Sequence, residues 1–286
     1  METKLIRIRE RSILKPREAF TSLGHLINEE LLLLCHQELK GNKATGIDHI
    51  TKTKYEENLT DNIRQIVARL KQKAYRPQPV RRVYLPKEDG RKVRPLGIAS
   101  YEDKIVQLAL KKILEAVFEP HFLSYSYGFR PHRNAHHALK ALTTCIEKGK
   151  VSYLVDADIK SFFDQVHHEK LMGCIRQRIQ DPNILRLIHR FLRAGVMENG
   201  KWELSETGTP QGSIVSPVLA NIYLHYALDL WFEKAVKTHI RGEAYLIRYA
   251  DDCVACFQYE KDALDYYKAL QYQLAKFSLS LQKEKS

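Results

Sequence analysis

The stretch LIRYADDCVACF, residues 246–257, places two adjacent aspartates between two apolar runs. Each run has the length and composition of a strand, so the pattern predicts a β-hairpin with Asp251 and Asp252 at its turn. Aspartate is also common in turns for conformational reasons alone. The pair therefore has two interpretations, a solvated hairpin tip or half of an acidic site, and the rest of the chain decides between them.

A second strand with acidic residues precedes the hairpin in VSYLVDADIKSFFD, residues 151–164. Successive strand residues point to opposite faces, so Asp156 and Asp158 share one face. If this strand lies beside the hairpin, an aspartate from it can approach Asp251 and Asp252. Converging carboxylates repel one another unless a cation neutralises them. Mg²⁺ takes carboxylate oxygens and shares its shell with substrate phosphates, and two such ions about 4 Å apart serve phosphoryl transfer.

A loop rich in Gly, Pro and Ser, GTPQGS at residues 208–213, opens a long segment with an apolar helical face. The pattern predicts a helix from Gly212 to Lys234. Backbone N–H groups at such a helix start suit a phosphate, and the Gln211 amide can hydrogen-bond to a nucleotide. An ordinary loop with a helix cap is the alternative.

Positive charge is concentrated between residues 71 and 94. Nine cations lie there against two carboxylates: Lys71, Lys73, Arg76, Arg81, Arg82, Lys87, Arg91, Lys92 and Arg94. A strand is predicted from Val80 to Leu85, and a hairpin turn at Glu88-Asp89-Gly90. Cations on a projecting hairpin suit a triphosphate or a nucleic-acid backbone. A solvated edge hairpin protected against aggregation is the other interpretation.

Aromatic and cationic residues alternate in SYSYGFRPHRNAHHAL, residues 124–139. Tyr125, Tyr127 and Phe129 are suited to stacking on bases. Arg130 and Arg133 are suited to phosphate contact, and the mixture is typical of nucleic-acid binding.

Composition narrows the class of protein. The chain has 286 residues and a formal net charge of +12, which favours an anionic partner, nucleic acid above all. No apolar run approaches the roughly 18 residues of a membrane span, so no membrane partner is expected. The five cysteines are an odd number at unrelated spacings, which favours a reducing, cytoplasmic location over a disulfide framework.

Helical periodicity covers most of the remaining chain, and the few strands do not alternate strictly with helices, which predicts an α+β fold. The predicted helices lie at residues 23–40, 56–73, 102–118, 134–148, 167–179, 182–193, 212–234 and 260–276.

Seven stretches in order resemble a reverse transcriptase of the group II intron-encoded kind, with maturase function: TGIDHI, VYLPKEDGRKVRPLGIASYEDKIVQLAL, SYGFRPHRNAHHAL, VDADIKSFFD, GTPQGSIVSPVLANIYL, RYADD and LSLQKEKS. The resemblance implies the fingers and palm of a right-hand polymerase, with a small antiparallel palm sheet packed on helices. It implies an N-terminal extension and fingers in residues 1–100, fingers helices leading into the palm in 101–155, and the palm in 156–286, as one continuous domain. The family's thumb follows LSLQKEKS, so the thumb is expected to be absent.

The resemblance also implies roles for single residues. Asp158, Asp251 and Asp252 are the expected catalytic residues, with Asp156 a second choice for the first position. The same three carboxylates and the main-chain carbonyl of Ile159 are expected to hold two Mg²⁺ ions, with Mn²⁺ as a substitute.

Five further residues are expected to bind the dNTP. Two are triphosphate-holding cations, one is the aromatic that excludes a 2′-hydroxyl, one lines the nucleotide pocket, and one is a cation near the leaving group. Lys87 and Arg94 are the cations that hold the triphosphate, and Phe163 is the aromatic residue. Gln211 lines the nucleotide pocket, and Lys285 is the cation near the leaving group.

Basic residues in three segments are expected to bind RNA. They lie in the N-terminal segment, in the basic stretch and in the aromatic segment: Lys4, Arg7, Arg9, Arg11, Lys15, Arg17, Lys71, Lys73, Arg76, Arg81, Arg82, Arg130 and Arg133. The expected partners are group II intron RNA, an RNA template with a DNA primer, and dNTP. A homodimer is an option, because a palm without a thumb could expose apolar surface.

The implied function is RNA-directed DNA polymerase activity that copies RNA into cDNA by two-metal nucleotidyl transfer, together with intron RNA binding that aids splicing and retrohoming. Two alternatives stay open. One is an RNA-binding splicing cofactor in which the polymerase site has little role. The other is a defence reverse transcriptase linked to a retron or to CRISPR.

Overall fold

The computed structural model describes residues 2–86 and 93–282. The helices are α1 (Glu2–Leu14), α2 (Glu29–Glu38), α3 (Lys52–Glu56), α4 (Leu59–Lys71), α5 (Tyr101–Phe118), α6 (Ala135–Lys148), α7 (Phe162–Gln165), α8 (His168–Arg176), α9 (Pro182–Leu192), α10 (Ser216–Leu224), α11 (Lys237–His239) and α12 (Glu260–Lys276). The strands are β1 (Val80–Pro86), β2 (Val93–Ile98), β3 (Tyr153–Asp158), β4 (Val196–Glu198), β5 (Lys201–Glu203), β6 (Ala244–Tyr249) and β7 (Asp252–Phe257). This mixture of helices and separate sheets agrees with the α+β prediction.

The chain divides into two compact units. The first comprises residues up to Pro120 together with Ile175–Ser216, and the second comprises His121–Cys174 and the residues from Pro217 onward. The predicted domain boundaries, after residues 100 and 155, differ from these and remain predictions.

Helix α5 forms the centre of the first unit. Apolar residues at helical spacing make it buried along most of its length, and α1 and α2 pack against it. Ile105, Leu110 and Ile113 have no exposed surface, and burial of each such side chain contributes about 1.5–3 kcal/mol. The α5 N-terminus is capped by Ser100, whose hydroxyl oxygen accepts a hydrogen bond from the Asp103 N–H.

The sheet of the first unit has the strand order β2-β1-β4-β5. β1 pairs antiparallel with β2 and parallel with β4, where Val80 lies opposite Val196. β4 and β5 form a tight hairpin around Asn199 and Gly200, both with positive φ, as the Asn-Gly sequence predicts. The predicted turn at Glu88-Asp89-Gly90 lies outside the described residues.

The sheet of the second unit is antiparallel, with the order β3-β7-β6. Side chains alternate along β7, so its two faces meet different helices. Cys256 packs against Cys145 and Ala138 of α6, while Phe257 packs against Tyr266 of α12. Both faces are therefore covered, which explains why β6 and β7 read as nearly continuous apolar runs.

Two helix predictions need correction, and one helix was not predicted. α2 begins at Glu29 and not near residue 23, because Asn28 caps it by accepting a hydrogen bond from the Leu31 N–H. The helix predicted from Gly212 begins at Ser216, because Gly208 and Gly212 have positive φ and keep the preceding segment a loop. α1 was not predicted as a helix, since its charged sequence has a weak apolar face.

None of the helices in the described part of the chain has the length and apolar character that a bilayer crossing requires.

Candidate active site

The acidic residues of the two predicted segments meet at one end of the second unit's sheet. β3 pairs with β7 in a register that sets Asp158 directly opposite Asp252. Asp251 precedes Asp252 in the turn of the hairpin, and Asp156 lies two residues further from this end, opposite Val254. Asp156 and Asp158 share a strand face, and the register of β3 against β7 brings Asp158, and not Asp156, to the hairpin turn.

Residues close to the C-terminal end of the described chain run beside Asp158. The Gln282 N–H donates to the Asp158 carbonyl at 2.8 Å, and the Lys160 N–H donates to the Ser280 carbonyl at 2.9 Å. Ile159 lies between these bonds and is buried. The LSLQ sequence thus extends the edge of the sheet next to the acidic end.

The turn itself has an unusual backbone. Ala250 is buried and has φ of +57°, a left-handed conformation that costs an alanine about 1–2 kcal/mol. Such residues persist only where the surrounding structure holds them in place. The contacts of Ala250 therefore determine the position of Asp251 and Asp252.

Arg248 supplies one of those contacts. Its side chain is fully buried in the strand that leads to the turn. Nε and Nη2 donate to the two carboxylate oxygens of Asp229, at 2.8 and 2.6 Å. Nη1 donates to the Ala250 carbonyl at 2.9 Å and to Asn221 Oδ1 at 3.0 Å. The charge of Arg248 is thus neutralised by Asp229 while its remaining donor fixes the turn.

The main chain at Gly128 lies against the turn at Ala250, which requires a glycine in the SYGF segment. The Asn221 amide donates to the Gly128 carbonyl at 2.8 Å, and the Tyr127 N–H donates to the Arg248 carbonyl at 2.8 Å. A Cβ at Gly128 would lie 2.8 Å from the Ala250 Cα and closer still to the Ala250 nitrogen. Only glycine permits this approach to the turn.

The sequence prediction missed these buried residues. One signal was available for Arg248, because it shares a strand face with the buried Leu246, and a charge on a core face requires a buried partner. Asp229 carried no comparable signal. It lies in a π-helical turn, His225–Asp229, that continues α10, and π-turns often occur at functional sites.

The predicted metal site has donors of a suitable kind. Within residues 2–86 and 93–282, no three His, Cys, Asp or Glu side chains converge in a group that could hold a metal ion. Asp158 and Asp252 nevertheless occupy paired positions, and Mg²⁺ is commonly held by one or two carboxylates together with water and phosphate oxygens. The donor set fits such an ion, and the metal ligands remain a prediction.

The predicted dNTP-binding residues are spread over both units. Lys87 and Lys285 lie outside the described residues. In the first unit, Arg94 is exposed on β2, and the Gln211 carbonyl accepts a 2.6 Å hydrogen bond from the Gly97 N–H. In the second unit, Phe163 is half-buried in α7 with its ring 5.3 Å from that of Phe162.

The loop that carries Gln211 is held by the core of the first unit. The buried side chain of Gln107 in α5 receives hydrogen bonds from the Ser213 hydroxyl and the Ile214 N–H, both at 2.9 Å. These bonds give the loop a fixed position beside the end of β2.

The predicted RNA-binding residues differ in exposure. Those of the N-terminal segment and the end of α4 are exposed: Lys4, Arg7, Arg9, Arg11, Lys15, Arg17, Lys71, Lys73 and Arg76. Arg81 is half-buried and donates to the Thr45 carbonyl, and Arg82 is half-buried 3.6 Å from Glu198.

Arg130 and Arg133 bind the main chain of their own segment. Arg130 is buried and donates to the carbonyls of Leu123 and Ser126 at 2.7 and 2.8 Å. Arg133 donates to the carbonyls of Ser124 and Ser126. A buried guanidinium that satisfies carbonyls is poorly placed to contact RNA, so Arg130 is left out of the RNA surface proposed below.

Comparison with known proteins adds to this geometry. A family model described as reverse transcriptase (RNA-dependent DNA polymerase) matches residues 85–286. The group II intron-encoded protein LtrA of Lactococcus lactis subsp. cremoris is 41% identical over 209 residues, which are 73% of this chain and 35% of LtrA. Protein YkfC of Escherichia coli (strain K12) is 39% identical over 191 residues, 65% of this chain and 49% of YkfC.

A plant protein is also similar. Nuclear intron maturase 1, mitochondrial, of Arabidopsis thaliana is 33% identical over 95 residues, 32% of this chain and 13% of that protein. The chain spans about a third of LtrA and about half of YkfC. The predicted resemblance to group II intron-encoded proteins is confirmed by these matches.

Proposed function

This chain belongs to the reverse transcriptase (RNA-dependent DNA polymerase) family, and on that premise we propose that it is the fingers and palm of an RNA-directed DNA polymerase. The observation that carries the proposal is the pairing of Asp158 with Asp252 at the end of the sheet, with Asp251 in the adjoining turn. The second unit's sheet is then the palm, and the first unit's sheet, with Arg94 and the Gln211 loop, belongs to the fingers.

The proposed reaction joins a primer 3′-hydroxyl to the α-phosphorus of a dNTP paired with an RNA template. A P–O bond forms there as the bond to pyrophosphate breaks, and the hydroxyl proton passes to water. Two divalent ions, Mg²⁺ or Mn²⁺, would lower the pKa of that hydroxyl and offset the charge that develops on the phosphate. The carboxylates of Asp158, Asp251 and Asp252, with the Ile159 carbonyl, would hold them.

The other predicted residues bind and orient the nucleotide in this proposal. Lys87 and Arg94 hold the triphosphate, since Arg forms a bidentate fork and Lys a point charge for phosphate oxygens. Phe163 blocks the space of a 2′-hydroxyl, Gln211 lines the pocket, and Lys285 lies near the leaving group.

Arg248 is a positioning residue for this reaction. It touches neither substrate nor metal in the proposal. Its bond to the Ala250 carbonyl holds the left-handed turn, so Asp251 and Asp252 keep one orientation without reorganisation when substrate binds.

The test is incorporation of a single dNTP on an annealed RNA template and DNA primer, with the intact chain and Mg²⁺ or Mn²⁺. Asp158→Ala is expected to lower the rate by at least about 100-fold. Asp156→Ala, on the same strand but away from the turn, is the matched control and should keep most of the activity. Undiminished incorporation by Asp158→Ala, in a chain that folds normally, would refute the proposal.

Intron RNA binding is proposed as a second role. Six exposed cations lie on or just after α1, namely Lys4, Arg7, Arg9, Arg11, Lys15 and Arg17, and a similar plant protein is named an intron maturase. In this role the chain aids splicing and retrohoming as well as copying RNA. RNA affinity that survives Asp251→Ala would separate binding from chemistry, and loss of both together would argue against two roles. None of the relatives named above favours the retron or CRISPR alternative.

A further inference from the structure

A cleft in the first unit carries a concentration of positive charge that the active site does not use. A cavity of 790 Å³ is lined by the start of α2, the end of α4 and the exposed side of α9. A second cavity of 390 Å³ adjoins it at Arg190. We call the cations of the two cavities the basic cleft: Lys71, Lys73, Arg76, Arg186, Arg190 and Arg193.

No carboxylate neutralises these cations. Among the residues that the structure describes, none of the six lies within 4.0 Å of an Asp or Glu oxygen. Glu29 and Glu30 line the larger cavity, so six cations stand against two carboxylates. Partial burial and the like charges of Arg76 and Arg186 lower the pKa of Arg190. An anionic ligand would relieve this repulsion.

The cleft is built on a fixed framework. Arg190 donates to the carbonyls of Lys73 and Tyr75 at 2.8 and 2.6 Å, which ties α9 to the turn after α4. Asp181 caps α9 and also accepts hydrogen bonds from the N–H groups of Leu23 and Gly24 at 2.5 and 2.7 Å. Although burial favours its protonated form, these backbone donors hold the pKa of Asp181 below its usual value.

The described lining has no accessible Phe, Tyr or Trp ring for base stacking, and its other aromatic rings are the imidazoles of His25 and His189. Tyr75 is the one Phe, Tyr or Trp side chain among the described lining residues, and it is 1% exposed with its hydroxyl bonded to Asp103. Single-stranded RNA is usually bound by stacking on such rings. Duplex RNA is instead recognised by shape and by contacts to phosphates and 2′-hydroxyls, and six separated cations with no accessible Phe, Tyr or Trp ring beside them match that mode.

We propose that the basic cleft binds the phosphate backbone of double-stranded RNA. The inference rests on the proposed function for its choice of RNA as the polymer, and it adds a surface from α9 that the sequence did not indicate. Lys71, Lys73 and Arg76 were expected to bind RNA, whereas Arg186, Arg190 and Arg193 come from a segment a hundred residues later.

The test compares binding of an RNA hairpin with about 16 base pairs and of a single strand of equal length, over a salt series. The triple variant Lys71→Gln/Lys73→Gln/Arg186→Gln keeps Arg190, which holds the framework. It should weaken hairpin binding by about 10- to 100-fold at 0.1 M salt and reduce the salt slope by about 2–3. Arg76→Gln/Arg193→Gln should act in the same direction by about half as much.

The matched control is Lys54→Gln/Arg64→Gln, which removes two exposed cations that already lie beside Glu57 and Asp61. Its hairpin affinity should stay within about 2-fold, and thermal unfolding checks that each variant is folded. Hairpin affinity and salt slope unchanged in both cleft variants would overturn the inference. Single-stranded RNA and polyglutamate are the competing anions. If the cleft variants weaken the binding of either one as much as they weaken hairpin binding, the cleft does not select duplex RNA, and the inference is overturned as well.

The unmodified chain separates this inference from the proposed function. If it extends a primer but does not bind the hairpin, the inference fails while the proposed function stands. If it binds the hairpin through the cleft but does not incorporate dNTP, the polymerase proposal fails while the surface remains.

Discussion

Two arginines show how the surroundings of a charge determine its role. Arg248 in the second unit and Arg190 in the first both donate to main-chain carbonyls. Arg248 is fully buried with Asp229 as its partner, whereas Arg190 is half-exposed among the like charges of Arg76 and Arg186. The first arrangement fixes a turn, and the second leaves positive charge for a ligand.

The largest effect is expected when the buried pair is broken. Asp229→Asn leaves the Arg248 guanidinium buried without a counter-charge, and such a loss costs about 3–5 kcal/mol. Urea unfolding at neutral pH measures the free energy of unfolding. Asp265→Asn, at an exposed position on α12, is the control and should change that energy by less than about 0.5 kcal/mol.

A second variant tests whether pairing is the cause. Asp229→Leu combined with Arg248→Met removes both charges and should recover much of the stability. It should not recover primer extension, because Ala250 loses its donor. A loss below about 1 kcal/mol in Asp229→Asn would show that water or another residue compensates the charge.

Next in size is a pH effect at His225, which lies beside the buried pair. Burial lowers the pKa of His225 to about 4, and the nearby charges of Asp229, Arg248, His121 and Arg130 modify that shift. The unfolded chain therefore binds a proton between about pH 6.5 and 4 that the folded chain does not. Stability should fall as the pH is lowered through this window, by up to about 3 kcal/mol.

His225→Phe should reduce that pH dependence when it is compared with the unmodified chain. The comparison matters because burial raises the pKa of Asp103, in the first unit, to about 6. As the pH falls, Asp103 is protonated at a higher pH in the folded chain than in the unfolded chain. Its contribution to stability therefore has the opposite sign, and that stability is lost as the pH rises. It is present in both proteins and cancels. Identical pH profiles would exclude His225 as the source.

A smaller effect is expected at Gly128, where the main chain approaches the turn at Ala250. Gly128→Ala places a methyl group against Ala250, and overpacking of this kind costs about 1–3 kcal/mol. It should lower single-nucleotide incorporation more than hairpin RNA binding, because the displacement is local to the turn. Gly173→Ala is the control in the same unit. It lies in α8 with open space around its Cβ and should stabilise by about 0.5–1 kcal/mol.

The smallest effect distinguishes the two arginines most directly. Arg76→Gln removes a like charge beside Arg190, so it should raise the free energy of unfolding by about 0.3 kcal/mol at low salt. The gain should disappear near 1 M salt, where charges are screened beyond about 3 Å. Arg64→Gln, beside Asp61, should not be stabilising. A stabilisation by Arg76→Gln that persists at high salt would indicate a packing effect and not relief of repulsion.

Much of the second unit could be predicted from sequence. The hairpin of residues 246–257, the strand before it and helix α12 follow from local alternation and helical period, which neighbouring residues determine. The approach of Asp158 to the hairpin turn was predicted on the condition that the two strands are adjacent, and the structure supplies that adjacency and the register. The start of the helix near Gly212 did not follow from the sequence, since Gly212 lies against β2 in a left-handed conformation and the loop is bonded to α5 through Ile214.

The amino-acid sequence by itself determined the α+β class, the acidic hairpin, the positive charge and the family. Only the tertiary structure decided which charges are buried in pairs and which gather in the basic cleft. Arg130 resembles a surface cation in the sequence but is buried, while Arg186 and Arg190 join Lys73 across more than a hundred residues. The reason is physical: strand and helix patterns arise between near neighbours, whereas the free energy of a charge depends on every group that folding brings around it.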